Sequence, residues 1–209
     1  MSNVDTIRYR ITVEVDTPQG LRSGSSVWEV STAEGSGSPD RSIHSRVRGE
    51  AVVVDLPGGT LFALLRGADM SVDYPAGLVV SHLRAHPELG VPMGADWSEN
   101  MRAVAKAKSA FELYPDELPL LVHFRDINDP ASVEKVEPAN LSAAFGPEFR
   151  LKRIIVALTN DSVTAVVTPR LHWLSKERGS LVEAPSHTPV RELPFASSIT
   201  HMDFARGML

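Results

Sequence analysis

The polar side chains that could do chemistry are densest in one short segment after a predicted strand. Asp126, Asn128 and Asp129 carry carboxylate and amide oxygens, which are the hard ligands that Ca²⁺ and Mg²⁺ prefer. His123 precedes them at the end of the apolar run. One interpretation is a divalent cation site with these four side chains as the metal ligands. The alternative is an Asx turn before Pro130, in which the same side chains bond their own backbone.

A pair of histidines four residues apart, His82 and His86, is the second candidate. On a helix this spacing places two imidazoles on one face, as in helices that bind zinc. The acidic residue of the His-Glu-x-x-His pattern is missing, and Pro87 follows at once. These two departures favour a pair of surface histidines over a metal site.

Basic residues alternate along two predicted strands and form the third group. Alternation by two places side chains on the same face of a strand. If the two strands are neighbours, a basic stripe results that would attract an acidic partner or an anionic surface. The residues are Arg8 and Arg10 on the first strand and His44, Arg46 and Arg48 on the third. The alternative is an ordinary solvated face, on which Glu14, Glu29 and Glu50 balance the charge.

The remaining side chains and motifs narrow the function classes. Trp173 is most simply a core or edge anchor, although it also fits a partner-binding patch near the predicted end of the folded part. The chain has no cysteine, which excludes a disulfide scaffold, a thiolate zinc site and a cysteine nucleophile. It also lacks the Gly-x-Ser-x-Gly elbow of serine hydrolases and the Lys-Ser/Thr of a phosphate loop.

The charge balance indicates the class of partner. A net charge of -5 argues against a nucleic-acid partner, because neutralising phosphates requires clustered lysine and arginine. We therefore expect a protein partner and no nucleic acid. No run of about 18 apolar residues is present, so we expect no transmembrane segment.

The clearest structural pattern lies over residues 7–16. Tyr9, Ile11, Val13 and Val15 alternate with polar and charged residues, and this period of two is typical of an antiparallel strand with one buried face. A turn at 17–20 and a returning strand over 25–31 complete a predicted hairpin. The other predicted strands span residues 44–56, 61–65, 118–124, 151–159 and 163–168.

The middle of the chain is more helical. A short helix is predicted over residues 78–85. A second helix is predicted to begin at Ser98, a good N-cap, and to run past Phe111 until Pro115 ends it. These patterns predict an α+β fold, in which an antiparallel meander carries a central helical insertion. Residues 1–175 are expected to form a single domain. Residues 176–209 are polar and contain proline, which predicts an extended or partly disordered C-terminal tail.

Four segments resemble a group of uncharacterised proteobacterial proteins. They read YRITVEVDTPQG (9–20), GSSV (24–27), RDINDPASV (125–133) and RLHWL (170–174), and the resemblance covers most of residues 8–175. It implies a bacterial source and no particular activity. Some similar proteins begin with a membrane or lipoprotein signal, whereas none is visible here. We therefore expect a cytoplasmic location by default, with envelope association as the alternative.

For every candidate catalytic group in the sequence, a purely structural role is the better supported interpretation. The leading hypothesis is therefore a non-catalytic accessory or binding protein. It would engage its partner through a sheet face and loops. The alternative is a metal-dependent hydrolase with its site around Asp126–Asp129. A third possibility, which depends only on the resemblance, is an envelope-associated structural protein.

Overall fold

Two antiparallel sheets carry the fold, as predicted for the α+β class. The computed structural model describes residues 4–34, 43–107, 109–184 and 189–208. The strands are β1 (Val4–Thr17), β2 (Gly20–Glu34), β3 (Ile43–Glu50), β4 (Val52–Leu56), β5 (Gly59–Gly67), β6 (Ala110–Glu112), β7 (Pro119–Phe124), β8 (Val133–Lys135), β9 (Arg150–Leu158) and β10 (Ala205–Arg206). One sheet has the order β10-β3-β2-β1-β9-β6, and the other has the order β4-β5-β7-β8.

The opening hairpin is confirmed. β1 pairs with β2 from Thr17 opposite Gly20 onward, and the apolar face of β1 is turned into the core. Its four alternating side chains, Tyr9, Ile11, Val13 and Val15, are completely buried. Burial also raises the pKa of Tyr9 well above its ordinary value. Its hydroxyl therefore stays protonated and donates a hydrogen bond of 2.6 Å to the carbonyl oxygen of Pro75.

The single long strand predicted over residues 44–56 is wrong, because the chain changes sheets at Ala51. β3 belongs to the first sheet and β4 to the second. At this junction the N–H of Ala51 donates to the carbonyl oxygen of Phe204 at 2.8 Å. A Cβ atom at Gly49 would lie 2.7 Å from Cδ1 of Trp28, so only glycine fits there. The run of β-forming residues gave no sign of this break.

The central helical insertion is present between β5 and β6, with different boundaries. The α-helices in the described ranges are α1 (Tyr74–Ala85), α2 (Trp97–Lys106), α3 (Ser142–Phe145), α4 (Phe195–Ser198) and α5 (His201–Phe204). The N-cap of α2 is Asp96 and not Ser98, because Asp96 Oδ1 accepts the N–H of Glu99 at 2.9 Å. Phe111 lies in β6 opposite Val156 of β9, so strand pairing overrides the helical spacing.

The strand predicted over residues 163–168 is replaced by a covering segment without regular structure. It contacts β2, where Thr164 Oγ1 accepts the N–H of Val27 at 2.9 Å, and it is held by Glu50, whose side chain is completely buried. The carboxylate accepts the N–H groups of Val166 and Val167 (2.6 Å for Val167) and the hydroxyl of Thr168 at 2.5 Å. The sequence suggested that Glu50 balances charge on the solvated face of the sheet. The structure instead places its carboxylate in the interior.

The C-terminal part of the chain packs on the body, where an extended or partly disordered tail was predicted. Phe204 is completely buried, and β10 pairs with β3. Asp203, 1% exposed, lies 3.3 Å from Arg66, and Arg206 donates to the carbonyl oxygen of Leu65 at 3.1 Å. The polar composition of residues 176–198 concealed the apolar residues that follow. Residues 185–188 and 209 of the predicted tail lie outside the described residues. None of the helices in the described residues is long and apolar enough to cross a membrane.

We expect Glu50→Gln to lower the free energy of unfolding by about 2 to 3 kcal/mol, because an amide nitrogen would face groups that now donate to a carboxylate. Glu148→Gln is the matched control, since Glu148 is exposed, and it should change stability by less than about 0.5 kcal/mol. Urea unfolding followed by tryptophan fluorescence measures both. Equal effects would show that the Glu50 carboxylate does not hold the covering segment.

We expect Gly24→Ala to destabilise the protein by about 3 kcal/mol or more, because the two sheets touch at this residue. A Cβ atom there would lie 1.8 Å from the carbonyl oxygen of Val53 on β4. Gly77→Ala in α1 is the control, since its nearest neighbour would be 3.8 Å away. It should raise stability by up to about 1 kcal/mol through helix propensity. Thermal unfolding distinguishes the two, and a neutral Gly24→Ala would contradict the close approach.

Candidate functional site

The predicted cation ligands after β7 form an Asx turn. Asp126 Oδ1 accepts the N–H of Asn128 at 2.9 Å, and Asp129 Oδ1 accepts the N–H of Ala131 at 2.9 Å. The structure thus brings Asp126, Asn128 and Asp129 together, with one oxygen of each carboxylate bound to backbone. His123 points elsewhere, with Nε2 at 3.3 Å from Glu134 of β8. Cation binding by this group stays a prediction.

The basic residues of β1 and β3 are not on neighbouring strands, because β2 lies between them. Glu29 of β2 sits between the two sets, 2.7 Å from Arg8 and 3.2 Å from Arg48. Burial raises the pKa of Glu29, but the hydrogen bonds and charges of the two arginines outweigh it, so the pKa lies below its ordinary value. Much of the predicted stripe is therefore compensated within the sheet.

The other members of the basic group differ in their surroundings. Arg10 donates to Asp161 at 2.8 Å and to Ser25 at 3.2 Å. Hydrogen bonds from Thr159 and from Arg10 lower the pKa of Asp161. His44 and Arg46 are exposed near the outer edge of the first sheet. Arg46 is thus the arginine of the predicted stripe that makes no ion pair with another described residue.

Trp173 is an internal anchor. It is 8% exposed, and its indole N–H donates to the carbonyl oxygen of Ile127 at 2.8 Å. Its ring packs edge-on against Phe124 and Phe204 at centroid distances of 5.6 and 6.4 Å. The core therefore holds this side chain, and a partner meets little of it.

The two histidines at the end of α1 form the strongest cluster of possible metal ligands in the described residues. The N–H of His86 donates to the carbonyl oxygen of His82 at 3.0 Å, and His86 is the C-cap residue directly after α1. The acidic residue that the sequence pattern lacks comes from another part of the chain. Glu117 ends a 3-10 turn just before β7, and its carboxylate lies beside the His82 ring.

Glu117 is held in place from several sides. Its two carboxylate oxygens lie 2.8 and 2.9 Å from Nδ1 of His82, which is 2% exposed. The carboxylate also accepts the N–H of Tyr114 at 2.9 Å, and the carbonyl oxygen of Glu117 accepts the hydroxyl of Tyr74 at 2.8 Å. A carboxylate fixed in this way can orient an imidazole or bind a metal ion directly.

Aromatic stacking fixes the planes of the two imidazoles. His82 stacks on Phe111 with ring centroids 3.8 Å apart, and His86 stacks on Tyr114 at 4.7 Å. Nδ1 of His86 lies 2.9 Å from a carboxylate oxygen of Glu88. Each histidine thus has a carboxylate on Nδ1, and the structure shows no hydrogen bond from the described residues to either Nε2.

A cleft of about 450 Å³ opens beside this cluster. It is lined by His82, His86, Glu88, Phe111, Glu112 and Tyr114, among others. The cluster also lies at the C-terminal end of α1, where the helix dipole favours a positive charge. Both features suit a bound cation that is open to a further ligand.

One ligand atom from each of His82, His86 and Glu117 lies within 4.8 Å of the other two. Around a tetrahedral zinc ion with bonds of about 2.0 Å, ligand atoms lie about 3.3 Å apart. His82 and Glu117 are already closer than that, so their contact must open slightly. The third ligand is His86, the more exposed of the two histidines. The donor set therefore fits a small divalent transition-metal ion.

None of the protein-family models, curated proteins or solved structures that were compared with the chain matches it. The resemblance of residues 8–175 to a proteobacterial group therefore stays a prediction. The function must be argued from the geometry of the chain itself.

Proposed function

We propose that this protein binds a divalent transition-metal ion, most simply Zn²⁺, through His82, His86 and Glu117. The observation that carries the proposal is the convergence of two imidazoles and a carboxylate within 4.8 Å, with both histidines lining an open cleft. Imidazole nitrogen and carboxylate oxygen are the common protein ligands of Zn²⁺, whereas Ca²⁺ and Mg²⁺ take oxygen ligands.

Three protein ligands leave one tetrahedral position for water or a bound molecule. The cleft would hold that molecule among the side chains that line it, which include Phe111, Tyr114 and Glu88. The proposed function is therefore metal-dependent binding of a small polar ligand. This site differs from the Asp126–Asp129 turn considered from the sequence.

We expect one Zn²⁺ to bind per chain and to release protons, because metal ligands must be deprotonated. His86→Ala and Glu117→Gln should each weaken binding by about 10- to 100-fold or more. His172→Ala, a change at an exposed histidine outside the cluster, should leave the affinity unchanged. Isothermal titration calorimetry in two buffers of different ionisation enthalpy measures the affinity and the proton release. Unchanged affinity in His86→Ala would contradict the proposal.

A second candidate is a metal-dependent hydrolase at this same cluster. The observation that favours it is the presence of further carboxylates in the cleft beside the two histidines and the glutamate. A zinc-bound water is a nucleophile at neutral pH, and a nearby carboxylate can accept its proton.

We expect the zinc-loaded protein to hydrolyse an activated ester such as p-nitrophenyl acetate or a diester such as bis-p-nitrophenyl phosphate if this second candidate is right. Loss of turnover in His86→Ala, but not in His172→Ala, would assign the reaction to the cluster. Tight zinc binding without turnover on either probe would favour the binding function over the hydrolase.

The hypothesis of a non-catalytic accessory protein that engages a protein partner stays open beside the metal site. A bound ion can serve such a protein as well as an enzyme. We expect such a partner to bind at the outer edge of the first sheet.

A further inference from the structure

Most of β3 has no paired strand on its outer side among the residues that the structure describes. β10 pairs with β3 only at Gly49 and Glu50, and the described residues place no strand beside the rest of β3. In an antiparallel strand, backbone groups point alternately to the two sides. Ala51 and Gly49 face the β10 side, so the N–H and C=O groups of Val47 and Ser45 also point away from β2.

Basic side chains surround this open edge. A groove of about 540 Å³ along it is lined by Arg46, Arg48 and Arg206, together with Met202, Gly207 and one acidic residue, Asp73. Two of these arginines already have acidic neighbours, since Arg48 lies 3.2 Å from Glu29 and Arg206 lies 3.9 Å from Asp203. Arg46 is exposed and makes no ion pair with a described residue. Within the part of the chain that the structure describes, the edge therefore combines backbone groups that have no strand partner with the positive charge of Arg46.

We propose that β3 binds an extended acidic peptide, which adds a strand to the open edge. Backbone hydrogen bonds to Ser45 and Val47 supply affinity, as in other cases of strand addition. Acidic side chains at alternate positions of the peptide lie on the same face as Arg46, which supplies specificity. The proposal is independent of the metal site, because the groove contains none of the three proposed metal ligands.

Charge complementarity selects this occupant over a second copy of the chain. Two copies joined edge to edge through β3 would bring arginine-bearing strands side by side, and like charges on neighbouring strands are destabilising. A peptide that carries carboxylates at every second residue replaces this repulsion by attraction.

The direct test is a titration of the protein into fluorescein-labelled Glu-Val-Glu-Val-Glu-Val at low salt, followed by fluorescence anisotropy. The labelled peptide Lys-Val-Lys-Val-Lys-Val should not bind. Arg46→Glu should weaken binding of the acidic peptide by about tenfold or more. Arg150→Glu is the matched control, since Arg150 is an exposed arginine on β9 of the same sheet, and it should bind as the unmodified protein does.

Ser45→Pro separates strand addition from simple charge attraction. Proline removes the outward N–H of Ser45 and leaves the pairing with β2, as proline does on edge strands. It should abolish most of the binding without lowering the unfolding temperature substantially. Hydrogen exchange should slow at the amides of Ser45 and Val47 when the peptide binds, while the amides of Arg46 and Arg48, which face β2, change little.

Several outcomes would overturn the proposal. One is the absence of acidic-peptide binding to the unmodified protein. Another is equal loss in Arg46→Glu and Arg150→Glu, which would indicate a general charge effect. Full binding by Ser45→Pro would mean that no strand is added. A dimer of the free protein that Ser45→Pro dissociates would make a second copy the occupant instead.

Discussion

The buried carboxylate of Glu50 is the constraint on which the arrangement of the two sheets depends. A charge without partners in the core costs several kcal/mol, so the folded chain has to bring donors to it. It does so with the covering segment, whose backbone N–H groups at Val166 and Val167 point at the carboxylate. The carbonyl oxygen of the same residue accepts the Ser26 hydroxyl and the Trp28 indole, both at 2.7 Å. One residue thus joins β2, the β3–β4 junction and the covering segment.

The parts of the fold that could be predicted are those in which local pattern and tertiary structure agree. Period-two alternation set the strand and the buried face of β1, and turn residues placed β2 beside it. Glu50 shows why the rest could not be predicted, because a glutamate in a strand looks like a surface residue until its distant partners are known. The same holds for Phe111, whose spacing suits a helix but whose partner on β9 makes it a strand residue.

The candidate site, too, could be predicted only in part from the sequence. The sequence identified His82 and His86 and their common helical face, but the absence of a nearby acid argued against a metal site. Glu117 comes from a turn 35 positions later, which no local motif could indicate. Its one signal was its place at the end of a Pro-Asp-Glu turn, where a carboxylate binds the preceding backbone N–H. The acidic segment after β7 is the opposite case. Its residue types suited a cation, but its carboxylates accept hydrogen bonds from the local backbone.

The pairing of β10 with β3 has a consequence for biosynthesis. A nascent chain completes the β1–β2–β3 meander early, but the residues that pair with Gly49 and Glu50 are translated much later. Contacts between positions so far apart form slowly, because a long loop of chain must first close. Throughout translation the edge of the meander is thus available to chaperones or to other nascent chains. The positive charge of Arg46 and Arg48 on that edge discourages premature association between copies on the same polysome.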